Sequence, residues 1–576
     1  MRDITFRGSD NEKQDSVTLD IVKDSLIAIG EEMFYGFAQT AMSPIIYETL
    51  DYASGIAAAD GELLTQGNGA CGFIGLISPM ILEIIKKFGK DSMKPGDVFI
   101  INDPYMGGGT HLSDIGMVMP VFYGGDIIAF VGNKAHWVDV GGANPGSFTT
   151  DSEEVFQEGI RFTGVKIVEE GRLNPAVADI ISANVRFPAA SNGDMWGQIA
   201  SLRTGFNRLT ELCGKYGADT VLRSMKRLMD QGEMAAKARL EEMPKGVFEA
   251  ENLMDDDGRG NTVHIKVKVT ITDEEFLADF SGSSPQVTSP VNTGYSSLCA
   301  GVRVAFMSIV NPELAVNDGV FRNLRVIAER GSVLMCNAPA PTSCYYESMI
   351  YACDTIWKAL APVFPEYLGA GHLLSVCAVI LTGLHHKTGR PFLIVEPSGG
   401  GWGASMGKDG EVGQFCVGDG ETYNVPVEMA ETRYGIRIDE YSLHTDGKGA
   451  GEFRGGSGCV RSYRALTDGQ YFSASFGRSK FPAWGAGGGQ DGSYNYFEFH
   501  RADGSVEGPI GVAARILMNK DDVVRMVTCT GGGYGDPRKR DIQKTAWDVR
   551  NGFVSVRQAK ENYGVIVDLN TFEAHR

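Results

Sequence analysis

The chain has 576 residues and a formal net charge of −19; 43% of its residues are hydrophobic and 22% are charged. This composition is typical of a folded globular protein. The length indicates about two to four domains. The acidic charge argues against a nucleic-acid-binding protein, which needs a basic face.

The ten cysteines are scattered, and no two of them form a Cys-x-x-Cys pair. Neither a zinc ribbon nor a thioredoxin-like motif is therefore expected. The amino terminus is polar and lacks the apolar segment of a signal peptide. A run of about 18 apolar residues, which a membrane-spanning helix would need, is also missing from the sequence. These features predict a cytoplasmic protein with buried, reduced thiols.

The first elements in chain order are a helix and a hairpin. Residues 1–16 are polar and predict a tail, and apolar residues then recur at helical spacing from Val17 to about Ala41. A strand–turn–strand unit follows, with Asp60-Gly61 at its turn. Asp51 is expected inside the first of these strands. A lone carboxylate in an apolar strand is costly unless it is paired or binds a cation, so Asp51 is a candidate metal ligand.

The stretch 102–142 holds two His–Asp pairs. His111 precedes Asp114 by three residues, and His136 precedes Asp139 by the same spacing. The two apolar segments between the histidines are joined by Gly-Gly-Asp, which predicts a β-hairpin. Because a hairpin brings its two ends together, we expect both pairs to meet there. Imidazole and carboxylate suit Zn, Mn or Fe(II). An isolated pair of this kind is usually surface chemistry or a capping interaction, and spacing alone leaves both interpretations open.

The remaining chain changes from a helical to a β pattern near residue 245. The predicted fold class is α/β in the broad sense, a mixed α+β architecture in which a metal-bearing α/β region precedes a β-rich region with glycine-rich turns. A last helix is predicted near Ile542 to Tyr563. The predicted regions are a polar tail at 1–16, a metal-site α/β region with a helical segment at 17–245, a β-rich region with inserted helices at 246–540, and a carboxy-terminal helix and tail at 541–576.

Glycine is abundant, with 74 residues, and it clusters in blocks such as GGGWG and GGGYGD. Neither block has the GxxxxGK[ST] form of a phosphate-binding loop, so the chain alone is not expected to bind a nucleotide. The run from Asp255 to Asp257 lacks the ligand spacing of an EF-hand and predicts a hairpin turn. The GxSxG motif of a serine hydrolase is also missing from the sequence.

Motifs along nearly the whole chain resemble those of the hydantoinase B/oxoprolinase family, the second subunit type of ATP-dependent hydantoinases, lactamases and ketone carboxylases. They include LDYASGIAAADGELLTQ, NDPYMGGGTHLSD, KAHWVDVGG, EVFQEGIRFTGVKIVEEG, VNDGVFRNL, EPSGGGWGA, GKGAGEFRGGSG and GGGYGDP. The resemblance implies a divalent metal (Zn, Mn or Fe) held by Asp51, His111, Asp114 and His136. It places Asp139 just outside this ligand set, where its carboxylate is expected to act in catalysis by orienting the attacking water or moving its proton.

The resemblance also implies a division of labour. A hydantoinase A-like partner would bind ATP and phosphorylate the substrate carbonyl, and this chain would complete the reaction within a hetero-oligomer of α2β2 or larger size. The first hypothesis is hydrolysis of a cyclic amide: a hydantoin, an oxoproline or a lactam. The alternative is ATP-dependent carboxylation of a ketone, in which the metal stabilises an enolate that attacks CO2. A third interpretation is a non-catalytic partner protein whose metal only stabilises the fold.

Overall fold

The structure is a computed structural model that describes residues 10–67, 69–257, 259–310, 315–420, 422–445 and 448–576. Its first helix, α1, spans Asp10–Thr40 and so begins seven residues before the predicted start at Val17. Residues 10–16 of the predicted tail are therefore helical, and residues 1–9 of that tail lie outside the described residues.

A seven-stranded sheet dominates the amino-terminal half. Its strands are β1 Tyr52–Ala58, β2 Leu63–Gln66, β3 Val98–Ile101, β4 Asp114–Tyr123, β5 Asp126–His136, β6 Thr163–Glu169 and β7 Arg172–Leu173. The order across the sheet is β2-β1-β5-β4-β3-β6-β7, and all neighbours run antiparallel. The hairpin β4–β5 thus lies at the centre of the sheet.

Helices cover both faces of this sheet. Those of the amino-terminal half, besides α1, are α2 Pro44–Tyr47, α3 Ile77–Phe88, α4 Pro175–Asn184, α5 Pro188–Tyr216 and α6 Ala218–Glu242. On one face, Met33 of α1 and Leu202 of α5 share an apolar cluster with Val131 of β5. On the other face, Ile81 of α3 packs in a cluster with Phe130. Burial on both faces explains why β4 and β5 are apolar almost throughout.

The carboxy-terminal half is built from smaller sheets. Its strands are β8 Gly246–Met254, β9 Val263–Ile271, β10 Phe276–Asp279, β11 Leu324–Ile327, β12 Ala378–Leu384, β13 Pro391–Glu396, β14 Ile436–His444, β15 Gly458–Ala465, β16 Gln470–Ser475, β17 Tyr496–His500, β18 Val506–Ile510, β19 Val512–Met518, β20 Val523–Val527, β21 Ile566–Val567 and β22 Ala574–His575. They pair in the orders β11-β10-β9-β8, β13-β12-β16-β19, β14-β15-β20-β17-β18 and β21-β22. The mixed α+β class is confirmed.

The helices of this half are α7 Tyr295–Val310, α8 Tyr345–Leu360, α9 Val427–Arg433, α10 Ile542–Arg550 and α11 Val556–Gln558. The prediction of one continuous helix from Ile542 to Tyr563 is wrong. Helix α10 ends at Arg550 because Gly552 takes a positive φ of 78°, which stops a right-handed helix. A short π-helical turn then continues from α11 to Tyr563.

One of the apolar clusters spans both halves. The change from helices to strands falls between the end of α6 at Glu242 and the start of β8 at Gly246. Phe73 and Phe148 of the first half nevertheless belong to the same buried cluster as Met349 of α8. In the described part of the chain, no helix combines the length and the apolar character needed to cross a membrane.

Candidate metal centre

The predicted hairpin is confirmed, and its open end gathers the predicted ligands. Strands β4 and β5 pair from Asp114 opposite His136 to Tyr123 opposite Asp126, with a Gly-Gly turn between them. His111 Nε2 lies 2.9 Å from Asp114 Oδ1 and 3.2 Å from His136 Nδ1. His111, Asp114 and His136 are buried, and one ligand atom from each lies within 4.8 Å of the others.

Asp51 reaches the same place from the neighbouring strand. It immediately precedes β1, which begins at Tyr52, so the expectation that Asp51 lies inside the strand is wrong by one residue. Because β1 pairs with β5, the His136 N–H donates to the Asp51 carbonyl at 3.1 Å. The Asp51 carboxylate oxygen Oδ2 lies 3.6 Å from His136 Nδ1, and 33% of its side chain is exposed.

Hydrogen bonds orient the first two ligands. His111 Nδ1 lies 2.8 Å from the Ser343 carbonyl, which only accepts, so Nδ1 carries the proton and Nε2 presents a lone pair. Thr110 Oγ1 donates to Asp114 Oδ2 at 2.6 Å, which leaves Oδ1 for the cluster. Among the described residues, Asp114 Oδ1 has no hydrogen-bond donor.

The donor set fits a bound cation. A lone pair on His111 Nε2 and a carboxylate oxygen of Asp114 lie 2.9 Å apart, and they repel each other unless a cation or a proton lies between them. Two imidazoles and two carboxylates, without thiolate, are typical of Zn, Mn or Fe(II) sites that bind substrate or water. The assignment of Asp51, His111, Asp114 and His136 as ligands of such an ion remains a prediction.

Burial and neighbouring charges shift the pKa values of Asp51 and Asp114 in opposite directions. Burial raises the pKa of Asp51 to about 7, although His136 opposes the shift. Burial also acts to raise the pKa of Asp114, but the neighbouring His111, together with His136 and the Lys134 cation, outweighs that effect and holds this pKa well below its usual range. The carboxylate at the centre of the cluster is therefore ionised.

Lys134 is a buried cation beside the centre that sequence reasoning missed. Its Nζ donates to the carbonyl of Gly108 at 3.0 Å and to that of Asp114 at 3.1 Å. Burial lowers the pKa of Lys134 to about 8, and Asp114 and Asp51 oppose the shift. The available signal was a lysine within the apolar run of β5, where an unpaired charge would be costly.

Glu158 fixes the loop that orients His111. Its Oε1 accepts from the backbone N–H of Thr342 at 2.8 Å and of Ser343 at 2.9 Å, and Ser152 Oγ donates to it at 2.8 Å. Burial raises the pKa of Glu158 to about 7, opposed by these hydrogen bonds. The Ser343 carbonyl is thereby held in place for His111.

A small cavity opens beside the cluster, with a volume of about 80 Å³. Asp51, His111, Asp114 and His136 line one part of it, and its other walls are largely apolar. Tyr345 places its ring edge-on to His111 with centroids 5.1 Å apart. Sequence reasoning missed Tyr345 and the cavity residue Asp419, because each lies more than 200 residues from the hairpin and carries no local motif.

Asp139 is fully buried in the loop after β5. Its Oδ1 accepts from the N–H groups of Gly141 and Arg186, both at 3.0 Å. Its Oδ2 accepts from the Gly146 N–H at 2.9 Å and from the Arg186 guanidinium at 3.1 Å. These contacts order the loop. The expected role of Asp139 in orienting water or moving a proton remains a prediction.

The structure thus combines a mixed α+β fold with a buried candidate metal site, without thiolate ligands, at the end of the central hairpin. A family model described as hydantoinase B/oxoprolinase matches residues 15–537. The chain belongs to the hydantoinase B/oxoprolinase family, as the sequence motifs predicted.

Similar proteins cover almost the whole chain. The B component of a putative D-/L-hydantoinase of Pseudomonas sp. (strain NS671) is 30% identical over 97% of this chain and 96% of its own length. The beta component of the caprolactamase of Pseudomonas jessenii is 29% identical, with 96% of this chain and 97% of its own length covered. An uncharacterized protein of Methanocaldococcus jannaschii is 34% identical over 96% of both chains.

Two solved structures share the fold. The crystal structure of the ATP-dependent caprolactamase from Pseudomonas jessenii matches with a TM-score of 0.90 and 27% identity, covering 96% of this chain and 97% of that one. The nucleotide-free structure of acetone carboxylase matches with the same TM-score over 99% of this chain and 82% of that one, at 19% identity. The second likeness shows the fold alone.

Proposed function

We propose that this chain is the metal-bearing catalytic subunit of a two-component, ATP-dependent cyclic amide hydrolase, whose substrate carbonyl is phosphorylated by a hydantoinase A-like partner. The observation that carries the proposal is the convergence of His111, Asp114 and His136 at the mouth of a small, largely apolar cavity. The relatives named as components of a hydantoinase and of a caprolactamase support it.

The division of labour follows from the chemistry of the amide. An amide carbonyl is a poor electrophile, and phosphorylation of its oxygen by the partner makes its carbon open to attack by water. The ring C–N bond then breaks as the nitrogen takes up a proton, and hydrolysis of the resulting acyl phosphate releases phosphate. A divalent ion held by Asp51, His111, Asp114 and His136 would supply Lewis-acid polarisation and lower the pKa of water. Within the chain, Ser343 fixes His111, Thr110 fixes Asp114, and the apolar walls keep bulk water from the ring. Asp139 is the group proposed to orient the attacking water or to move its proton.

ATP-dependent ketone carboxylation remains the alternative, because the same donor set could stabilise an enolate. The hydrolase consumes a cyclic amide and ATP, whereas the carboxylase consumes a ketone, CO2 and ATP. We propose a hetero-oligomer of α2β2 or larger size in the cytoplasm, with ATP bound by the partner.

The test is to co-express this chain with the hydantoinase A-like protein of the same genome and purify the complex. Hydantoin, 5-oxoproline and ε-caprolactam are then incubated with ATP, and acetone with ATP and labelled bicarbonate. The proposal expects ATP-dependent ring opening by the complex and no ATP hydrolysis by this chain alone. Incorporation of label into acetone without any ring opening would favour the carboxylase. Robust ATP hydrolysis by the isolated chain would contradict the two-component proposal.

A further inference from the structure

The cavity beside the metal centre contains three further buried polar atoms that lack a hydrogen-bond partner among the described residues. They are Thr49 Oγ1, Tyr346 Oη and Asp419 Oδ2. Buried polar groups in folded proteins are nearly always paired with protein, water or a ligand, so these three atoms are free to pair with a ligand that enters the cavity. The neighbouring walls include Ile45, Phe73 and Phe148, which suit an apolar ring.

Asp419 is held rigidly in this wall. Its N–H donates to the Cys416 carbonyl at 3.1 Å, and Thr422 Oγ1 donates to its carbonyl at 2.5 Å. The carbonyl of the preceding Gly418 accepts from the Gly72 N–H at 2.7 Å, which joins the segment to the amino-terminal half. The Asp419 residue is only 9% exposed. These contacts fix the backbone of Asp419, and a hydrogen bond with the Cys416 side chain restricts its buried carboxyl group.

The three unpartnered groups differ in what they can select. The hydroxyl groups of Thr49 and Tyr346 both donate and accept, so they can pair with a carbonyl or with an N–H. An ionised carboxylate only accepts, and it therefore distinguishes a ligand with an N–H from one without. Burial raises the pKa of Asp419 to about 7, and its hydrogen bonds with Cys416 oppose that shift only in part.

We propose that Asp419 is a specificity residue that hydrogen-bonds the ring nitrogen of a cyclic amide while the carbonyl end of the ring faces the metal centre. This inference rests on the proposed function and names the atom by which the site recognises its substrate class. A cyclic ketone of equal ring size places a CH2 where the lactam has its N–H. Such a ligand leaves the buried Asp419 oxygen unpaired and binds more weakly by roughly 10- to 100-fold.

The same carboxyl group remains complementary after the carbonyl oxygen is phosphorylated. Formation of such an imidate releases the N–H proton to solvent, so its ring nitrogen holds a lone pair instead of an N–H. A carboxylate accepts from the N–H of the lactam, and a protonated carboxyl donates to the nitrogen of the imidate. Both forms of Asp419 are accessible near neutral pH, because its pKa is about 7.

The experiment compares ligand pairs that differ only at the ring nitrogen. Dissociation constants of the full-length, Zn-loaded chain are measured by ligand-observed NMR for 2-pyrrolidinone and cyclopentanone, δ-valerolactam and cyclohexanone, and ε-caprolactam and cycloheptanone. The variants are Asp419→Ala and Asp419→Asn, and Asp179→Ala, which removes an exposed carboxylate on α4, is the matched control. Thermal unfolding checks that each variant is folded.

We expect the wild-type chain and the Asp179→Ala control to prefer the lactam of at least one pair by roughly 10- to 100-fold. Asp419→Ala should reduce the preference to within about threefold. Asp419→Asn should keep part of it, because its amide oxygen still accepts but without charge assistance. Should Asp419→Ala not fold, the intermediate preference of Asp419→Asn carries the test.

A lactam preference that survives in Asp419→Ala, or in Asp419→Asn at the wild-type value, overturns the inference. Equal binding of lactam and ketone by the wild-type chain, or no binding of any lactam, overturns it as well. The proposed function is judged separately by ring opening in the complex with ATP. Ring opening without an Asp419-dependent lactam preference leaves the function standing and rejects this residue assignment.

Discussion

Asp114 and His136 face each other across the first rung of the β4–β5 hairpin, with Asp114 Oδ1 3.3 Å from His136 Nδ1. The two strands lie in the middle of a seven-stranded sheet whose faces are both covered by helices. Two of the four proposed ligands are therefore fixed by paired backbone rather than by a loop. A site built on central strands is preorganised, so binding of the metal ion should require little rearrangement of these residues.

Replacing Asp139 by asparagine should slow ATP-dependent turnover in the complex by about 10- to 100-fold while most of the metal is retained. Turnover should fall because Asp139 is the group proposed to orient water or move its proton. Most of the metal should stay because the hydrogen bonds of Asp139 go to Gly141, Gly146 and Arg186 and not to the proposed ligands. Turnover and metal content of Asp139→Asn are measured beside Asp179→Asn as the control. Loss of metal in proportion to the loss of turnover would mean that Asp139 acts on the ligand set itself.

Replacing Glu158 by glutamine should weaken metal affinity by about 10- to 100-fold. Glutamine keeps the size of the side chain but sets an NH2 group among the donors of Thr342 and Ser343, so the Ser343 carbonyl no longer fixes His111. Competition with a chelator measures the affinity, and ¹⁵N NMR of His111 reports the position of its proton. Glu249→Gln, at an exposed position on β8, is the control. Unchanged affinity with an unchanged His111 spectrum would contradict this positioning role.

Glu347 should make the stability of the chain depend on pH. Burial raises the pKa of Glu347 to about 8, while a hydrogen bond from Ser375 Oγ at 2.6 Å opposes the shift. Because the folded pKa lies above the unfolded value of 4.5, the contribution to stability is fully present below about pH 4.5 and is lost as the pH rises through about 8. The slope is about 1.4 kcal/mol per pH unit where only the unfolded form is ionised.

Glu347→Gln imitates the protonated side chain and should remove this part of the slope. Denaturant unfolding between pH 5 and 8 measures it, with Glu249→Gln as the control. If the free energies of unfolding of wild type and Glu347→Gln fall in parallel with pH, Glu347 is ionised in the folded chain and the account of its burial is wrong.

Local sequence was sufficient for the central hairpin. The Gly-Gly-Asp turn and the apolar segments beside it predicted that His111/Asp114 and His136 would converge, and they do. The same spacing also predicted that Asp139 would meet the other three residues, and this was wrong. The chain leaves β5 after His136 and turns Asp139 toward Arg186. A repeated His-x-x-Asp spacing thus produced two different environments.

Groups from distant segments could not be predicted from spacing. Asp51 reaches the centre because β1 pairs with β5, a choice among strands that no local motif determines. Glu158 accepts from the loop at Ser343, and Asp419 lies in a turn whose preceding residue, Gly418, accepts from Gly72. Tertiary packing sets both arrangements. The cost of a lone carboxylate in an apolar strand made Asp51 a candidate ligand and the family resemblance strengthened it, whereas Glu158 and Asp419 required the three-dimensional structure.

The most direct test of the central claim is the metal content of the purified chain and of its His136→Ala variant, measured by elemental analysis. His264→Ala removes a half-exposed histidine on β9 and is the matched control. We expect wild type and His264→Ala to hold close to one Zn, Mn or Fe per chain, and His136→Ala to lose most of it while keeping the wild-type circular dichroism spectrum. Ring opening in the complex should disappear with the metal. A full complement of metal in folded His136→Ala would show that His136 is not a ligand and that the site is wrongly assigned.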